Sequence, residues 1–255
     1  MKKITAIFAI ILNLILSLSC NNDNNRENLS ESLENTEDRI VYVGMDAGFP
    51  PFGYLDNGNI AGFDYDIMSE IAKLTDMKVE FSHMSFAKLL SALQAKKIDV
   101  IIAAMTITEE RKQFVNFSEP YYVSSQVILV HKYDNSITNF GNLGGKNVGV
   151  IMATTGDAII TQNGIVDTKK FNTVADAVLS LKENNIDAIV FDKEPCKSFA
   201  KSNPEIRLIE SDAIQQNYAI AVRKDDSSLL QNINKGIATI MTNGTYEKLV
   251  DKNFK

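Results

Sequence analysis

From residue 39 onward the chain alternates two hydrophobic spacings. "RIVYVGMD" (39–46) reads as a strand, and Gly48 to Gly62, with Pro50, Pro51 and "DNGN", is turn-rich. Between Asp66 and Thr75, Ile67, Ile71, Ala72 and Leu74 fall on one face at helical spacing. "KVEFSHM" (78–84) is a strand, and Phe86 to Ala95 carries Leu89, Leu90 and Leu93 as a helix. "IDVIIAA" (98–104) is apolar enough for a strand buried on both faces. This β-α-β-α-β order predicts a parallel sheet with helices packed on it.

A second series starts at "SSQVILVHK" (124–132). "KNVGVIM" is a strand, Thr155 to Asn163 a helix, "DTKKFNT" a short strand, Val174 to Glu183 a helix and "IDAIVFD" (186–192) a strand. "LQAKKIDVII" and "LKENNIDAIV" share one plan: a leucine-bearing helix, a polar turn, then Ile-Asp and an apolar strand. The body therefore reads as two related α/β lobes. "QNYAIAVRKDD" (216–226) is a further strand, followed by a helix over Leu229–Thr242 and the amphipathic tail "GTYEKLVDKNF". Long strands near 122–131 and 216–224 bracket the second lobe. If both cross between lobes, residues 39–125 and 222–255 form lobe one and 126–221 form lobe two. The closing helix then packs on lobe one, and the cleft has a two-strand hinge suited to closure on a ligand.

The N-terminus follows another pattern. Lys2-Lys3 precedes an apolar run, Ile4 to Leu18, and Ser17-Leu18-Ser19-Cys20 ends it. The run is shorter than the roughly 20 residues a membrane span needs, so residues 1–20 read as an export signal. Cys20 among small residues resembles the bacterial lipoprotein signal, which implies acylation of its thiol. Ser17 stands where that pattern usually has Leu, and an ordinary secretory signal is the alternative. Residues 21–38, "NNDNNRENLSESLENTED", hold almost nothing apolar and cannot bury enough surface to offset their ordering entropy. They read as a tether.

Charge adds little beyond exclusions. The chain carries −6; the signal contributes +2 and the tether −5, leaving −3 on the remaining 217 residues. No basic patch points to nucleic acid. Two histidines, His83 and His131, and two cysteines, Cys20 and Cys196, form no ligand cluster, so no metal or other cofactor is expected.

In open α/β sheets, ligands sit beyond the carboxyl ends of strands. That rule picks out Asp46 to Phe52, Phe86, Ala103 to Arg111, Ala153 to Asp157, and Asp192. Arg111 offers a planar fork of donors for a carboxylate, Thr106 a hydroxyl, and Ala104 a wall small enough for backbone to approach a ligand. Alternatively Thr106 and Glu109 make a T-x-x-E capping box and Arg111 is a surface charge. Asp192 can bind an ammonium or cap the next turn before Pro195. Phe49 and Phe86 can form an apolar slot or belong to the core. Asp46 can cap a turn or meet a polar end of a ligand. Thr154 and Thr155 precede a helix whose first N–H groups suit an anion.

"GMDAGFPPFGYLDNGNIAGFDYDI", "KIDVIIAAMTITEERKQFVNFSEPYY" and "NGTYEKLVDKNF" together resemble the bacterial extracellular solute-binding proteins of family 3, over about residues 40–255. The resemblance implies a two-lobed periplasmic binding protein fold of type II, each lobe a mixed, mostly parallel sheet with flanking helices. It implies a free amino-acid ligand, an ABC permease with its ATPase as partner, and no catalysis. By position, Arg111 matches the arginine that grips the ligand carboxylate, assisted by Thr106 and the backbone around Ala104 and Met105. Asp192 matches the acid for the ammonium, Thr155 a second-lobe carboxylate contact, Phe49 and Phe86 the aromatics around the side chain, and Asp46 a contact for its polar or cationic end. Asp64 and Asp66 match structural positions. Ala153 departs from a usual Gly, and Gly156 from a common polar residue. Asp46 with two aromatics favours a basic amino acid, arginine or lysine. Glutamine or another polar neutral amino acid is the alternative ligand, and a cyclic-acid dehydratase on the same fold the alternative class. The chain is expected to be an exported, lipid-anchored monomer.

Overall fold

The computed structural model describes residues 39–164 and 166–255; the signal, tether and Cys20 readings lie outside them. Val41–Lys255 forms one compact unit around two five-stranded sheets. The first has the order β5-β1-β6-β13-β7, built from β1 (Ile40–Met45), β5 (Lys78–His83), β6 (Val100–Ile101), β7 (Val115–Phe117) and β13 (Ala221–Arg223). The second has the order β10-β9-β11-β8-β12, built from β8 (Tyr122–His131), β9 (Asn147–Ile151), β10 (Asp167–Phe171), β11 (Ala188–Asp192) and β12 (Ile206–Tyr218). In each sheet the inner βαβ strands run parallel; β13 runs antiparallel to its neighbours β6 and β7, and β8 antiparallel to its neighbours β11 and β12.

The apolar runs behave as strands covered on both faces. Val100, Ile102 and Ala104 join one core with Val41, Val43 and Met45, while Ile101, Ala103 and Met105 join another beneath Leu89 and Leu93 of helix α2 (Phe86–Gln94). In the second sheet Leu129, Ile189 and Phe191 face helix α5 (Val174–Lys182), and Ile128, Val148 and Val190 face the opposite side.

The repeated Ile-Asp units do the same job twice. Asp99 accepts the Tyr42 N–H at 3.0 Å, and Asp187 accepts the Asn147 N–H at 2.7 Å, tying the start of β6 to β1 and the start of β11 to β9. Ile98 packs over Gly44 and Ile186 over Gly149 so closely that a Cβ would lie 2.4 and 2.6 Å from their Cδ1 atoms. In this correspondence Ala104 of lobe one occupies the place of Asp192 in lobe two.

Some elements differ from the sequence reading. The turn-rich 48–62 stretch is a small antiparallel sheet of β2 (Gly48–Phe49), β3 (Gly53–Asp56) and β4 (Asn59–Ala61). Helix α1 (Phe63–Leu74) starts three residues earlier than its apolar stripe suggests, because Gly62 turns the chain at φ 121 and Asp64 is buried in the first turn. Ladder pairing within 98–104 is confined to Val100–Ile101. The stretch 216–226 is not one strand: β12 ends at Tyr218 in the second sheet and β13 begins at Ala221 in the first. β12 reaches back to Ile206, its alternation hidden by an irregularity between Ile209 and Ile214. Helix α6 (Lys193–Ser202) accommodates Pro195 because the first turn needs no N–H there.

The two connections between sheets, 118–121 and 219–220, make a two-strand hinge. Helix α7 (Ser227–Thr242) returns to lobe one, where Leu229, Ile233, Ile237 and Ile240 share the core of β1. Helix α8 (Thr245–Phe254) is pinned to α1 by Lys252 and Asn253 on the Asp66 carboxylate, both at 2.8 Å.

Candidate functional site

A cavity opens between the strand ends of the two sheets. Asp46, Phe49, Phe86, Ala104, Thr106 and Arg111 line it from lobe one, and Thr155 and Asp192 from lobe two. Met105 is the exception among the expected residues. It is fully buried in the core under α2, and its carbonyl accepts the Ala219 N–H, because side chains alternate along the strand end and Met105 points away from its neighbours' face.

Arg111 sits on the one-turn helix α3 (Glu109–Lys112) and is only 7% exposed. Its guanidinium donates to the Thr106 carbonyl at 2.8 Å and, across the cleft, to the Ala153 carbonyl at 3.0 Å. Two of five N–H donors are so committed, leaving three. The group lies 5.2 Å from the centre of the Phe86 ring, a cation–π distance. Burial lowers its pKa, opposed first by the charge of Asp192, yet an arginine stays charged throughout.

The capping-box reading is overturned. Thr108, not Thr106, caps α3 by accepting the Arg111 N–H at 3.2 Å. The Thr106 hydroxyl instead donates to Gln216 Oε1 at 2.8 Å, and its backbone bridges to Tyr218. Two threonines two residues apart gave the wrong register.

Asp192 ends β11 and begins α6, but its side chain makes no capping bond. Its Oδ1 accepts from Gln126 Nε2 at 2.9 Å and from the Tyr218 hydroxyl; Oδ2 takes neither bond. Burial pushes its pKa up to about 6, against the pull of Tyr218, Gln126 and Arg111. The carboxyl is therefore ionised at neutral pH and sensitive to mild acid. Cys196, fully buried on α6, feels the same carboxylate, and burial raises its thiol well above the usual range, the opposite of an activated nucleophile.

Asp46 performs the capping role and also faces the cavity. Its two oxygens accept the Gly48 and Phe86 N–H groups, both at 2.9 Å, and the second bond anchors the start of α2. A carboxylate has about four acceptor sites, so two remain. Phe49 meets Phe191 edge-on at 5.2 Å. Ile151 lines the cavity too, and so do Phe191, Asn172, Thr173 and Val174, which the sequence reading passed over. The strand-end rule, applied to the end of β10, would have reached Asn172 and Thr173.

The departures around helix α4 (Thr155–Asn163) now have physical content. Ala153 has φ 63, the left-handed region a glycine occupies without strain. Its N–H donates to Asp157 Oδ2 at 3.2 Å, and its carbonyl holds Arg111. At Gly156 a Cβ would lie 2.7 Å from Gln126 Oε1 and 2.9 Å from the Val190 carbonyl. The Gln126 side chain, reaching over from β8, takes the space that a side chain at 156 would need. Thr154 caps α4 by accepting the Asp157 N–H, and Thr154 and Thr155 at the start of the helix line the cavity.

Ala104 also has positive φ, 47. Its N–H donates to Asp64 Oδ2 at 2.7 Å and to the Tyr121 hydroxyl at 3.2 Å, and Tyr121 in turn donates to Asp64 Oδ1. Burial pushes Asp64 up to about 7. The Asp64 of "GFDYDI" thus holds a turn in the cavity wall.

The chain matches bacterial extracellular solute-binding proteins, family 3, over residues 41–255. It belongs to that family. A probable histidine-binding protein of Campylobacter jejuni is 33% identical over 257 residues, covering 99% of this chain and 98% of that one. The ABC transporter arginine-binding protein 1 of Escherichia coli K12 is 32% identical over 221 residues, 84% of this chain and 90% of its own. Among solved structures, an ancestral arginine-binding protein bound to arginine superposes with a TM-score of 0.82 at 40% identity, covering 86% of this chain and 100% of its own. The same kind of protein bound to glutamine gives 0.80 at 41% identity, covering 84% and 97%. Family-3 proteins of this kind are binding proteins with two lobes, and the cleft described above lies between the two lobes of this one.

Proposed function

We propose that this family-3 protein captures a basic L-amino acid, arginine or lysine, between its lobes and presents it to the permease of an ABC importer. The carrying observation is the charge of the cavity lining: Asp46 and Asp192 face a single guanidinium, Arg111, a net −1. A zwitterion adds no net charge, whereas a cationic side chain balances the site. In this reading Arg111 holds the carboxylate with the backbone at Thr106 and the first turn of α4 at Thr155. Asp192 holds the ammonium, and Asp46 with Phe49 and Phe86 receives the distal cation. Each charge-assisted hydrogen bond contributes about 1.5–3 kcal/mol. Because both lobes contribute, the ligand stabilises the closed arrangement.

A calorimetric titration of the purified protein with the twenty amino acids tests this: arginine or lysine binds tightest. Glutamine is the second reading, favoured because both Asp46 oxygens already accept a backbone N–H. Tighter binding of glutamine than of arginine would overturn the preference.

The proposal includes a monomer anchored through acylated Cys20, with residues 21–38 as a leash spanning roughly 20–25 Å as a coil. Cys20→Ala then moves the protein from the membrane to the soluble fraction. Stable membrane association of that variant speaks against the anchor.

A further inference from the structure

The carboxylate of Asp192 is held from behind by residues of the two strands that join the lobes. Gln126 lies on β8 directly across from Asp192 in the ladder, and Tyr218 is the last residue of β12. Both donate to the same oxygen, Oδ1. The Gln126 amide also donates to Gln216 Oε1 at 3.2 Å, and the Thr106 hydroxyl donates to that same Oε1 at 2.8 Å. Thr106 in turn accepts the Arg111 guanidinium through its carbonyl. A continuous set of buried hydrogen bonds therefore runs from Asp192 in lobe two, along the inter-lobe strands, to Arg111 in lobe one. Gln126, Gln216 and Tyr218 are each 5% exposed or less.

We propose that Tyr218 and Gln126 are positioning residues for amino-acid recognition: they saturate Oδ1 of Asp192, turn Oδ2 to the ligand ammonium, and, through Gln216, fix the acid relative to Arg111. The inference rests on the reading that Asp192 takes the ammonium. Two donors on one oxygen fix the rotation of a carboxylate more tightly than one, and they stabilise its charged form where burial removes it from solvent. Because the donors sit on the hinge strands, the orientation of the acid is set where the lobes join.

The titratable and charged groups facing Asp192 are Arg111 from α3, Tyr218 from β12 and Cys196 from α6. Burial is the largest influence on the Asp192 carboxyl, which stands at about 6, and the Tyr218 hydrogen bond is the first force opposing it. Tyr218 itself is pushed well above the usual tyrosine range by burial and by Asp192, so it remains a donor at all working pH. Only ionised Asp192 binds an ammonium. Affinity should therefore fall as pH drops through the carboxyl's pKa, about tenfold between pH 8 and pH 5.

The test measures the affinity of L-arginine from pH 5 to 8.5 for the wild type and Tyr218→Phe, with L-glutamine as probe should the titration above rank it first. Loss of the hydroxyl moves the acid limb up by about one pH unit while binding persists at pH 8.5. A purely structural tyrosine would weaken binding equally at every pH, and an unmoved limb overturns the proposal. If Tyr218→Phe does not fold or bind, Gln126→Met, which removes the other donor, decides in the same way: an upward shift supports the proposal and no shift refutes it. The des-amino analogue 5-guanidinopentanoate separates the two layers. If it binds the wild type as tightly as arginine, and arginine shows no acid limb, the ammonium reading itself fails. If the wild type discriminates and shows the limb but the variants do not shift it, only the positioning role fails.

Discussion

Arg111→Ala binds no amino acid at the concentrations that saturate the wild type, yet it unfolds in a single cooperative transition. The substitution removes the carboxylate grip, at least two charge-assisted hydrogen bonds, so affinity falls by about 10²–10⁴-fold. It also strips the Thr106 and Ala153 carbonyls of their donor. One such loss costs about 1–3 kcal/mol, and the body is large enough that each kcal/mol lowers Tm by only about 2–4 °C. Calorimetry paired with thermal denaturation separates the two effects. Arg111→Lys keeps the charge but loses the fork, and falls between wild type and alanine. Near-normal affinity in the alanine variant would show that this arginine serves only to join Thr106 to Ala153.

Asp192→Asn gives the opposite pairing of affinity and stability. An asparagine oxygen can still accept from Tyr218 and Gln126, so the surrounding bonds survive, but the charge that faces an ammonium is gone. Binding weakens by about 10–100-fold. Stability without ligand does not fall with it. A carboxyl at about 6 in the fold against 3.8 as its ordinary value binds more protons folded than unfolded between those limits. Its contribution to stability therefore declines as pH rises from about 4 to 6 and is flat above. The asparagine variant lacks that decline. Denaturant unfolding at pH 4.5 and 7.5, beside ligand titration, measures both. A variant that loses stability and affinity in parallel would mean that Asp192 holds the fold rather than the ligand.

How far the sequence discloses this site depends on which signal each residue leaves. The two-lobe plan was legible because a strand covered on both faces must be apolar throughout, as in 98–104 and 186–192. The recurrence of Ile-Asp at both places shows in three dimensions as the same pair of contacts, Ile over Gly and Asp on a backbone N–H. The cavity residues were legible as strand ends, and eight of the nine expected positions line it. Met105 does not line it: its side chain is buried in the core under α2. The T-x-x-E pattern misled because Thr106 and Thr108 both precede acidic residues, and spacing alone cannot say which one has the extended backbone of a cap. Gln126 and Gln216 left no signal at all. A buried glutamine in a strand is neither periodic nor part of a motif, and its use appears only when the strand beside it is known.

The first sheet carries a consequence for how the protein assembles after export. Its fourth strand, β13, supplies residues 221–223 between β6 and β7, which end and begin more than a hundred residues earlier. A chain emerging from its N-terminus can complete the pairing of β8, β9, β10 and β11 while β6 still has an open edge and β7 no neighbour. Lobe two is thus free to form early, whereas the wall bearing Arg111 is finished only when Ala221 and helix α7 arrive. Contacts so distant in sequence form slowly, and an exposed strand edge in the interval invites mispairing. The segment from Ala221 onward, which lines no part of the cavity, sets the time at which a newly exported molecule becomes able to bind.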